Sequence, residues 1–343
     1  MPSSNPSPST GFSRRTVGLA AAVVTVLIWT FFIIIARAAA DPARGRILTP
    51  LDIAFCRIAG ASLILLPWGW WLVQRDRALG VGQSSFWGLS PLSGRVTVLT
   101  GFFGGLLYAL LAYSGFVYAP AGHASVLMPG SMPLWTALLA VLFLGDRITL
   151  FRGLGLLLIV LGDLMVGGAS LLHAFDGGSV WKGDVLFMMT SLCWSAYSVL
   201  ARRQALDAVR ATIAITVFAF FTFVPAYALL LGVQASWVHL RAAPLGEVLF
   251  QVAFQGWAMV VISGITFTTM VQHFGPVRTT MITALVPGLS ALGAVVFLGE
   301  PLVWNLAAGL ALVTAGILFG IRVAKVFAPE KEATQAIPAG ARG

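Results

Sequence analysis

The sequence predicts an all-α membrane protein with ten transmembrane helices arranged as two inverted five-helix repeats. The 343-residue chain is 58% hydrophobic and only 10% charged, with a mean hydropathy of +0.92. Soluble domains are about 45 to 50% apolar and about 25% charged. Long segments carry no charge, and a near-identical phrase, FLGD and FLGE, ends two of them at residues 143–146 and 297–300.

Ten segments can form helices of about 20 mostly apolar residues, the length that crosses a bilayer. The uncharged run at 96–145 is long enough for two helices, and we divide it at YAPAGH, residues 118–123, because Pro and Gly mark turns. Two segments are apolar around one charge each, Arg57 and Asp163. The predicted helices span residues 16–37, 51–73, 96–118, 121–144, 152–172, 184–203, 211–233, 248–272, 277–298 and 302–323.

The first helix has an alternative interpretation as an export signal. Arg14 and Arg15 precede an apolar run, as in a twin-arginine signal, and ARAAAD at residues 36–41 resembles a cleavage site. The run of 21 residues is longer than the roughly 7 to 15 of a signal peptide. We therefore predict a retained helix.

The repeated phrase belongs to a longer internal repeat. A shift of 154 residues places Pro133 on Pro287 and Gly162 on Gly316, and a shift of 165 places Trp29 on Trp194. The predicted repeats cover 15–173 and 174–324, between tails at 1–14 and 325–343 that are expected to be disordered and cytoplasmic. Five helices per copy make the second copy inverted, a recurrent design of secondary transporters, although a repeat can also be purely structural.

The distribution of basic residues predicts the orientation. With a cytoplasmic N-terminus, 15 Lys and Arg residues fall in cytoplasmic segments and 5 in external ones, with Arg57 inside a helix. The positive-inside rule then places both termini in the cytoplasm of a multi-pass protein in the cytoplasmic membrane. It also accounts for the net charge of +9 without nucleic acid, because the charges are scattered between helices.

The ordered set of motifs resembles the EamA branch of the drug/metabolite transporter superfamily. The set comprises Trp29 in helix 1, Pro50 and Arg57 in helix 2, a proline followed by FLGD or FLGE in helices 4 and 9, and Gly155 and Gly162 in helix 5. The resemblance covers residues 16–323 and implies a transporter of small metabolites with a central cavity lined mainly by helices 1, 3, 4, 6, 8 and 9. Asp163 and Asp146 depart from the family pattern.

Prolines within helices are the best sequence pointers to that cavity. Pro129, Pro133 and Pro287 free the carbonyls of Ser125, Pro129 and Thr283, respectively, because proline lacks an N–H. Free carbonyls at membrane depth need protein or a water-filled cavity. A packing kink without ligand contact is the alternative for each proline.

Aromatic and amide side chains are the other cavity candidates. Trp194 and Tyr197 share one face of helix 6, Trp29 is the repeat equivalent of Trp194, and Tyr108 lies near small residues of helix 3. Gln255 on helix 8 needs a polar partner, which can be substrate or another helix. His123 is predicted to be solvated at a helix end.

Four charged residues have separate expectations. Asp163 lies near the middle of helix 5, where a carboxylate must face protein or water or be protonated. It is a candidate for proton coupling, and the alternative is a neutral acid hydrogen-bonded to a neighbouring helix. Arg57 is predicted to be structural, either snorkelling to the outer interface or pairing with Asp52 or with another helix. Asp146 and Glu300 are predicted to be structural and to pair with arginines or cap the following helix. Asp146 can reach Arg147 or Arg152, and Glu300 precedes Pro301, the expected first residue of helix 10.

These observations predict a secondary transporter that moves small organic metabolites or amphipathic compounds, amino-acid-like or drug-like, by alternating access, as an exporter. Its expected partners are the substrate, the lipid bilayer and a proton or another coupling ion; no cofactor, metal or catalytic residue is predicted. A membrane-embedded enzyme is disfavoured because catalytic and phosphate-binding motifs are lacking, and a channel because no filter sequence or charge ring occurs. A non-transporting scaffold remains an alternative.

Overall fold

A computed structural model of the chain describes residues 14–41, 44–45, 47–81 and 85–326. The predicted tails at 1–14 and 325–343 lie almost wholly outside the described residues. The described chain forms helical rods, which we number α1 to α10. They are α1 (Arg14–Ala40), α2 (Pro50–Ala78), α3 (Gly94–Tyr118), α4 (Ala121–Leu144), α5 (Leu150–Leu172), α6 (Val180–Arg203), α7 (Ala208–Gly232), α8 (245–283), α9 (Val286–Leu298) and α10 (Trp304–Val326).

Within the described residues, eight rods are long and apolar enough to cross a bilayer, the last of them through Leu245–Met270 of α8. The apolar parts of α9 and α10, Val286–Leu298 and Trp304–Phe319, are shorter. Exposed Leu, Val and Phe side chains cover much of the outer surface of the rods, as lipid-facing helices require. The predicted class of an all-helical membrane protein is confirmed, whereas ten spans and two inverted repeats stay predictions.

Polar caps fix where two of the rods begin. Thr49 caps α2 and exchanges hydrogen bonds with Asp52 in a capping box, with Pro50 as the first helical residue. The Asp207 side chain accepts from the backbone N–H of Arg210 at 3.0 Å at the start of α7. Both caps satisfy N–H groups that would otherwise be orphaned at a helix start.

The predicted boundaries around α8, α9 and α10 are wrong. The backbone stays helical through Gly275 and Pro276 and turns at residues 284–285. Membrane helices tolerate Gly and Pro, and Pro287 instead sits in the first turn of α9, where its missing N–H costs nothing. Helix α10 begins at Trp304 and not at Pro301, since residues 299–303 are not helical.

The rods pack in matching pairs. Helix α1 packs on α8 and α9, and α6 packs on α3 and α4; α2 packs on α7 and α8, α3 on α7, and α5 on α10. Glycines bring α5 and α10 into backbone contact: a Cβ on Gly162 would lie 2.7 Å from the carbonyl oxygen of Gly309, and a Cβ on Gly309 would lie 2.8 Å from that of Gly162. This pair therefore packs at a distance that only glycine permits.

Aromatic side chains form a dense core next to the centre of the bundle. Phe116 lies 6.3 Å from Phe32 and 4.9 Å from Phe187 between ring centroids, both edge to face. Tyr113 packs against Phe32 in the same cluster. Phe32 also contributes to the wall of a central cavity, so this cluster closes the cavity on one side.

Candidate functional site

A cavity of about 490 Å³ lies at the centre of the bundle. Its wall takes residues from α1 to α4 and from α6 to α9, with Ile317 from α10. This volume is within the range of pockets that hold small organic ligands, about 300 to 1,000 Å³. The wall extends to Ala201 and Ala208, on either side of the turn between α6 and α7.

The structure brings together eight of the residues that the sequence placed at the cavity. They come from both predicted repeats and are Trp29, Tyr108, Pro129, Pro133, Trp194, Tyr197, Thr283 and Pro287. Two others lie outside the wall, and their polar atoms are satisfied within the protein. Ser125 donates to the carbonyl of Gly122 at 2.7 Å, and Gln255 donates to Gln251 and accepts from the Tyr113 hydroxyl.

Helix irregularities occur where the cavity lies. Pro129 belongs to a π-helical turn, Val126–Gly130, and Pro133 and Pro287 each lie in the first turn of a helical segment. These breaks interrupt the regular backbone ladder in α4 and before α9, and all three prolines are part of the wall. The prolines that the sequence singled out therefore mark the positions where the chain opens around a cavity.

Aromatic rings supply much of the wall. Trp29 stacks on Phe267 with centroids 5.3 Å apart. Trp194 lies 5.1 Å from both Tyr108 and Tyr197. Such rings offer large apolar faces with polar edges, which suits ligands that combine an apolar body with a polar group.

Hydroxyl groups on α6, α7 and α8 also line the cavity, and of these sequence analysis had named only Thr283. Each donates to the carbonyl four residues earlier, as Thr212 does to Ala208 at 2.8 Å and Ser263 to Met259 at 2.6 Å. Because the hydrogen is used within the helix, the oxygen faces outward as an acceptor. No sequence pattern separates these from other hydroxyls in apolar helices. The set comprises Ser198, Thr212, Thr216, Ser263, Thr268 and Thr283.

Arg57 lies in the cavity wall, which sequence analysis did not expect. Its residue is only 9% exposed, and Nη1 is buried without a hydrogen-bond partner among the described residues. Its Cζ atom lies 6.0 Å from the ring centroid of Phe32 and 5.9 Å from that of Tyr108. The guanidinium therefore neither snorkels to the outer interface nor leaves the bundle.

The expected pairing of Arg57 with Asp52 is wrong. The Asp52 carboxylate accepts from the hydroxyl of Tyr227 and from the backbone N–H of His239 at 3.0 Å, besides its bonds to Thr49. These partners come from α7 and the loop after it. They are distant in the sequence, so the residues around α2 alone could not predict them. Asp52 closes the start of α2 instead of neutralising Arg57.

The repeated phrase forms the same helix ending twice. Gly145 and Gly299 adopt left-handed conformations with φ of 70° and 67°. The following residue closes each end in the same way: Asp146 N–H donates to Ala140 O, and Glu300 N–H donates to Ala294 O. Each bond spans six residues, one more than in a Schellman motif, and the glycine adopts the left-handed conformation without steric cost.

The two acids after these glycines form ion pairs with other helices. Asp146 accepts two hydrogen bonds from Arg202, at 2.6 and 3.1 Å, and not from Arg147 or Arg152 as predicted. The Arg202 hydrogen bond lowers the pKa of Asp146 below its usual value. Glu300 accepts from Arg37 at 3.1 Å.

Glu300 also holds the start of α4. It accepts from the backbone N–H groups of Ala121 and Gly122 at 3.1 and 3.2 Å. A carboxylate is favourable at a helix N-terminus, where N–H groups lack partners. Arg37 adds a bond to the carbonyl of Phe116 at 2.7 Å, so this cluster ties α1, α3, α4 and α9 together.

Asp163 lies outside the cavity wall on α5. It is 7% exposed, and both carboxylate oxygens lack a partner among the described residues. Gly167, one turn further along the same face, lies against Leu127 of α4. Asp163 is thus directed towards protein, as the sequence required.

His123 is paired and not simply solvated, which corrects the prediction. Its Nδ1 atom lies 2.8 Å from the Asp184 carboxylate on α6, and Ser170 of α5 donates to the same carboxylate. The three residues are far apart in the sequence, so no local motif reveals the cluster. The described residues contain no group of three or more His, Cys, Asp or Glu side chains that could hold a metal ion.

Comparisons with known proteins agree with this architecture. The EamA-like transporter family matches residues 16–168 and 181–322. The "Uncharacterized transporter YyaM" of Bacillus subtilis (strain 168) is 25% identical over 249 residues, which cover 69% of this chain and 77% of that protein. A solved crystal structure of a protein with 22% sequence identity superposes with a TM-score of 0.53 over 92% of this chain and 99% of the other, and so shares the fold. The chain therefore belongs to the EamA-like transporter family of the drug/metabolite transporter superfamily.

Proposed function

We propose that this protein is a secondary transporter that moves small organic metabolites or amphipathic compounds across the cytoplasmic membrane by alternating access. The observation that carries the proposal is the central cavity, because residues from both halves of the chain line it. A midplane site between two halves is the arrangement by which secondary transporters expose a substrate to each side in turn. Family membership supports the transporter class.

Paired contacts support the inverted repeat on which alternating access depends. Arg37 and Arg202 are equivalent in the proposed repeat, as are Glu300 and Asp146, and each arginine binds the acid of the other half. The helix contacts show the same reciprocity between the two halves. Helix α1 of the first half packs on α8 and α9 of the second, and α6 of the second half packs on α3 and α4 of the first. A two-fold relation between the halves produces such reciprocal pairs.

The cavity's position supports export. Its wall reaches the turn between α6 and α7, a segment that the positive-inside rule assigns to the cytoplasm. On the other side lie the aromatic cluster and the Arg37–Glu300 ion pair. A cavity reached from the cytoplasm and closed towards the outside is the state in which an exporter loads substrate and an importer releases it, so the cavity is compatible with the proposed export.

Asp163 is proposed as a site of proton coupling. A buried carboxylate without a partner is costly when charged, so its protonation state depends on its surroundings. Its distance from the cavity wall means that any coupling passes through α5 and its contacts with α4. A merely structural, neutral acid is the alternative.

Reconstitution tests the function. Purified protein in liposomes is screened for uptake of amino acids, nucleosides and amphipathic amines and carboxylates, with and without a proton gradient. Saturable uptake with counterflow is expected for a carrier. Uptake that never saturates, or inorganic ion flux at channel rates, contradicts the proposal, and chemical conversion of a compound without net movement supports an enzyme instead.

A further inference from the structure

We propose that the cavity binds organic carboxylates through Arg57, so that the carried compounds are amphipathic monoanions with an apolar or aromatic body. This inference rests on the proposed transport function and names the substrate class. The charge of the cavity wall is the first observation behind it. Among the described residues, Arg57 is the one charged side chain in that wall. No acid from those residues lines the cavity to balance it.

The guanidinium is incompletely satisfied. Nη1 has no hydrogen-bond partner in the described part of the chain, and none of the ion pairs found there includes Arg57. The Tyr113 hydroxyl accepts a hydrogen bond from the guanidinium and donates its own hydrogen to Gln255 at 3.0 Å, so this partner is neutral and leaves the charge of Arg57 unbalanced. A buried cation without a counter-charge is costly, and an anionic ligand would offset that cost.

A second donor in the wall is also free. The indole Nε1–H of Trp29 is buried without a partner among the described residues, although the ring is held by stacking on Phe267. An indole N–H can only donate, as can a guanidinium. Both residues are part of the cavity wall, and a carboxylate supplies two acceptor oxygens that match the fork of arginine.

The rest of the wall defines the body of the ligand. Trp194, Tyr108 and Tyr197 present rings to the cavity, which favours an apolar or aromatic group next to the carboxylate. One arginine neutralises one negative charge. A phosphate monoester, with nearly two charges at neutral pH, would leave one of them uncompensated beside these rings.

We take the anion to be a soluble carboxylate. A lipid phosphodiester also carries one negative charge, and the comparison of liposomes below separates the two sources. The test uses three probes with the same phenyl body: phenylacetate, phenylethylamine and 2-phenylethanol. Binding is followed by quenching of tryptophan fluorescence and by uptake into phosphatidylcholine liposomes. Phenylacetate is expected to bind about 10- to 100-fold more tightly than either other probe, the range of a buried charge-assisted hydrogen bond.

Variants test which residues cause the preference for phenylacetate. Arg57→Met should remove the preference, Arg57→Lys should keep part of it, and Trp29→Phe should weaken phenylacetate binding without weakening that of 2-phenylethanol. Arg75→Met is the matched control, because Arg75 lies over the ring of Trp71, outside the cavity wall. Size-exclusion profiles and melting temperatures establish folding, and Trp29→Phe keeps the test decisive if Arg57→Met does not fold.

Several results overturn the inference. Wild-type protein that binds the amine or the alcohol as well as phenylacetate, or that binds no phenylacetate, refutes it, and so does an Arg57→Met variant with an unchanged preference. Loss of phenylacetate binding when phosphatidylglycerol replaces phosphatidylcholine identifies a lipid phosphate as the ligand and refutes it too. Saturable transport of the amine or alcohol in any of these cases leaves the proposed function standing, whereas no saturable transport of any compound overturns both.

Discussion

Replacing Gly162 by alanine tests whether α5 and α10 pack through their backbones. A Cβ at Gly162 would lie 2.6 Å from Cγ2 of Val313 and 2.7 Å from the carbonyl oxygen of Gly309. The valine can rotate, but the carbonyl belongs to α10 and moves only if the helix moves. We expect overpacking of this kind to cost about 1 to 3 kcal/mol.

The assay is thermal unfolding of purified protein in detergent, with Gly168→Ala as the matched control. Gly168 is on the same helix, and a Cβ there would meet nothing within 4 Å. Alanine favours a helix over glycine by up to about 1 kcal/mol, so the control should melt at the same temperature as wild type or higher. Gly162→Ala should melt lower.

The reciprocal variant adds a second check. Gly309→Ala brings its Cβ to 2.8 Å from the carbonyl of Gly162, so it should destabilise to a similar extent. Once either change has moved the helices apart, the second should cost less, and the double variant should be less destabilised than the sum of the two. The backbone-packing argument fails if Gly162→Ala melts with the Gly168→Ala control, or if the two costs add fully.

Four further predictions concern charge, proton coupling and orientation. Glu300→Gln should lower the melting temperature more than Asp146→Asn, because Glu300 binds one arginine and two backbone N–H groups in a shielded cluster; equal effects would contradict this. The stabilising effect of Asp146, whose pKa is lowered, should be present above roughly pH 4 and fade as the pH falls through its folded-state pKa, which melting curves of wild type and Asp146→Asn across pH would reveal. Asp163→Asn should reduce proton-driven uptake in liposomes, and unchanged uptake across a pH series would exclude a coupling role. An impermeant thiol reagent applied outside should label Ser179→Cys and spare Gln83→Cys, which lies outside the described residues; the reverse labelling would invert the topology.

Local sequence signals predicted the features that depend on a few neighbouring residues. The apolar runs predicted a membrane protein. Gly145 and Gly299 in the repeated phrase predicted two helix ends, because glycine adopts the left-handed backbone conformation most easily. Pro129, Pro133 and Pro287 led to the cavity wall because a missing N–H acts on the same helix. The α8 boundary was misplaced because Gly275 and Pro276 do not stop a helix that neighbouring rods support.

Features that depend on distant partners could not be predicted. Arg57 is left without Asp52 as a counter-ion because Tyr227 and His239 donate hydrogen bonds to the Asp52 carboxylate. Both donors are more than 170 residues away from Asp52 in the sequence. His123 meets Asp184 only because α4, α5 and α6 converge. A single sequence gives the charge of such residues but not which opposite charge reaches them.

The two ends of the bundle differ in how well their ion pairs are shielded from water. The side chain of Arg37 is 14% exposed, whereas that of Arg202 is 62% exposed. Dissolved salt screens exposed charges at physiological strength and acts far less on shielded ones. Under the proposed alternating access, the ion pair at the Glu300 end would therefore break less readily than the one at the Asp146 end. The balance between the two proposed states is then expected to shift with ionic strength even when no substrate is bound.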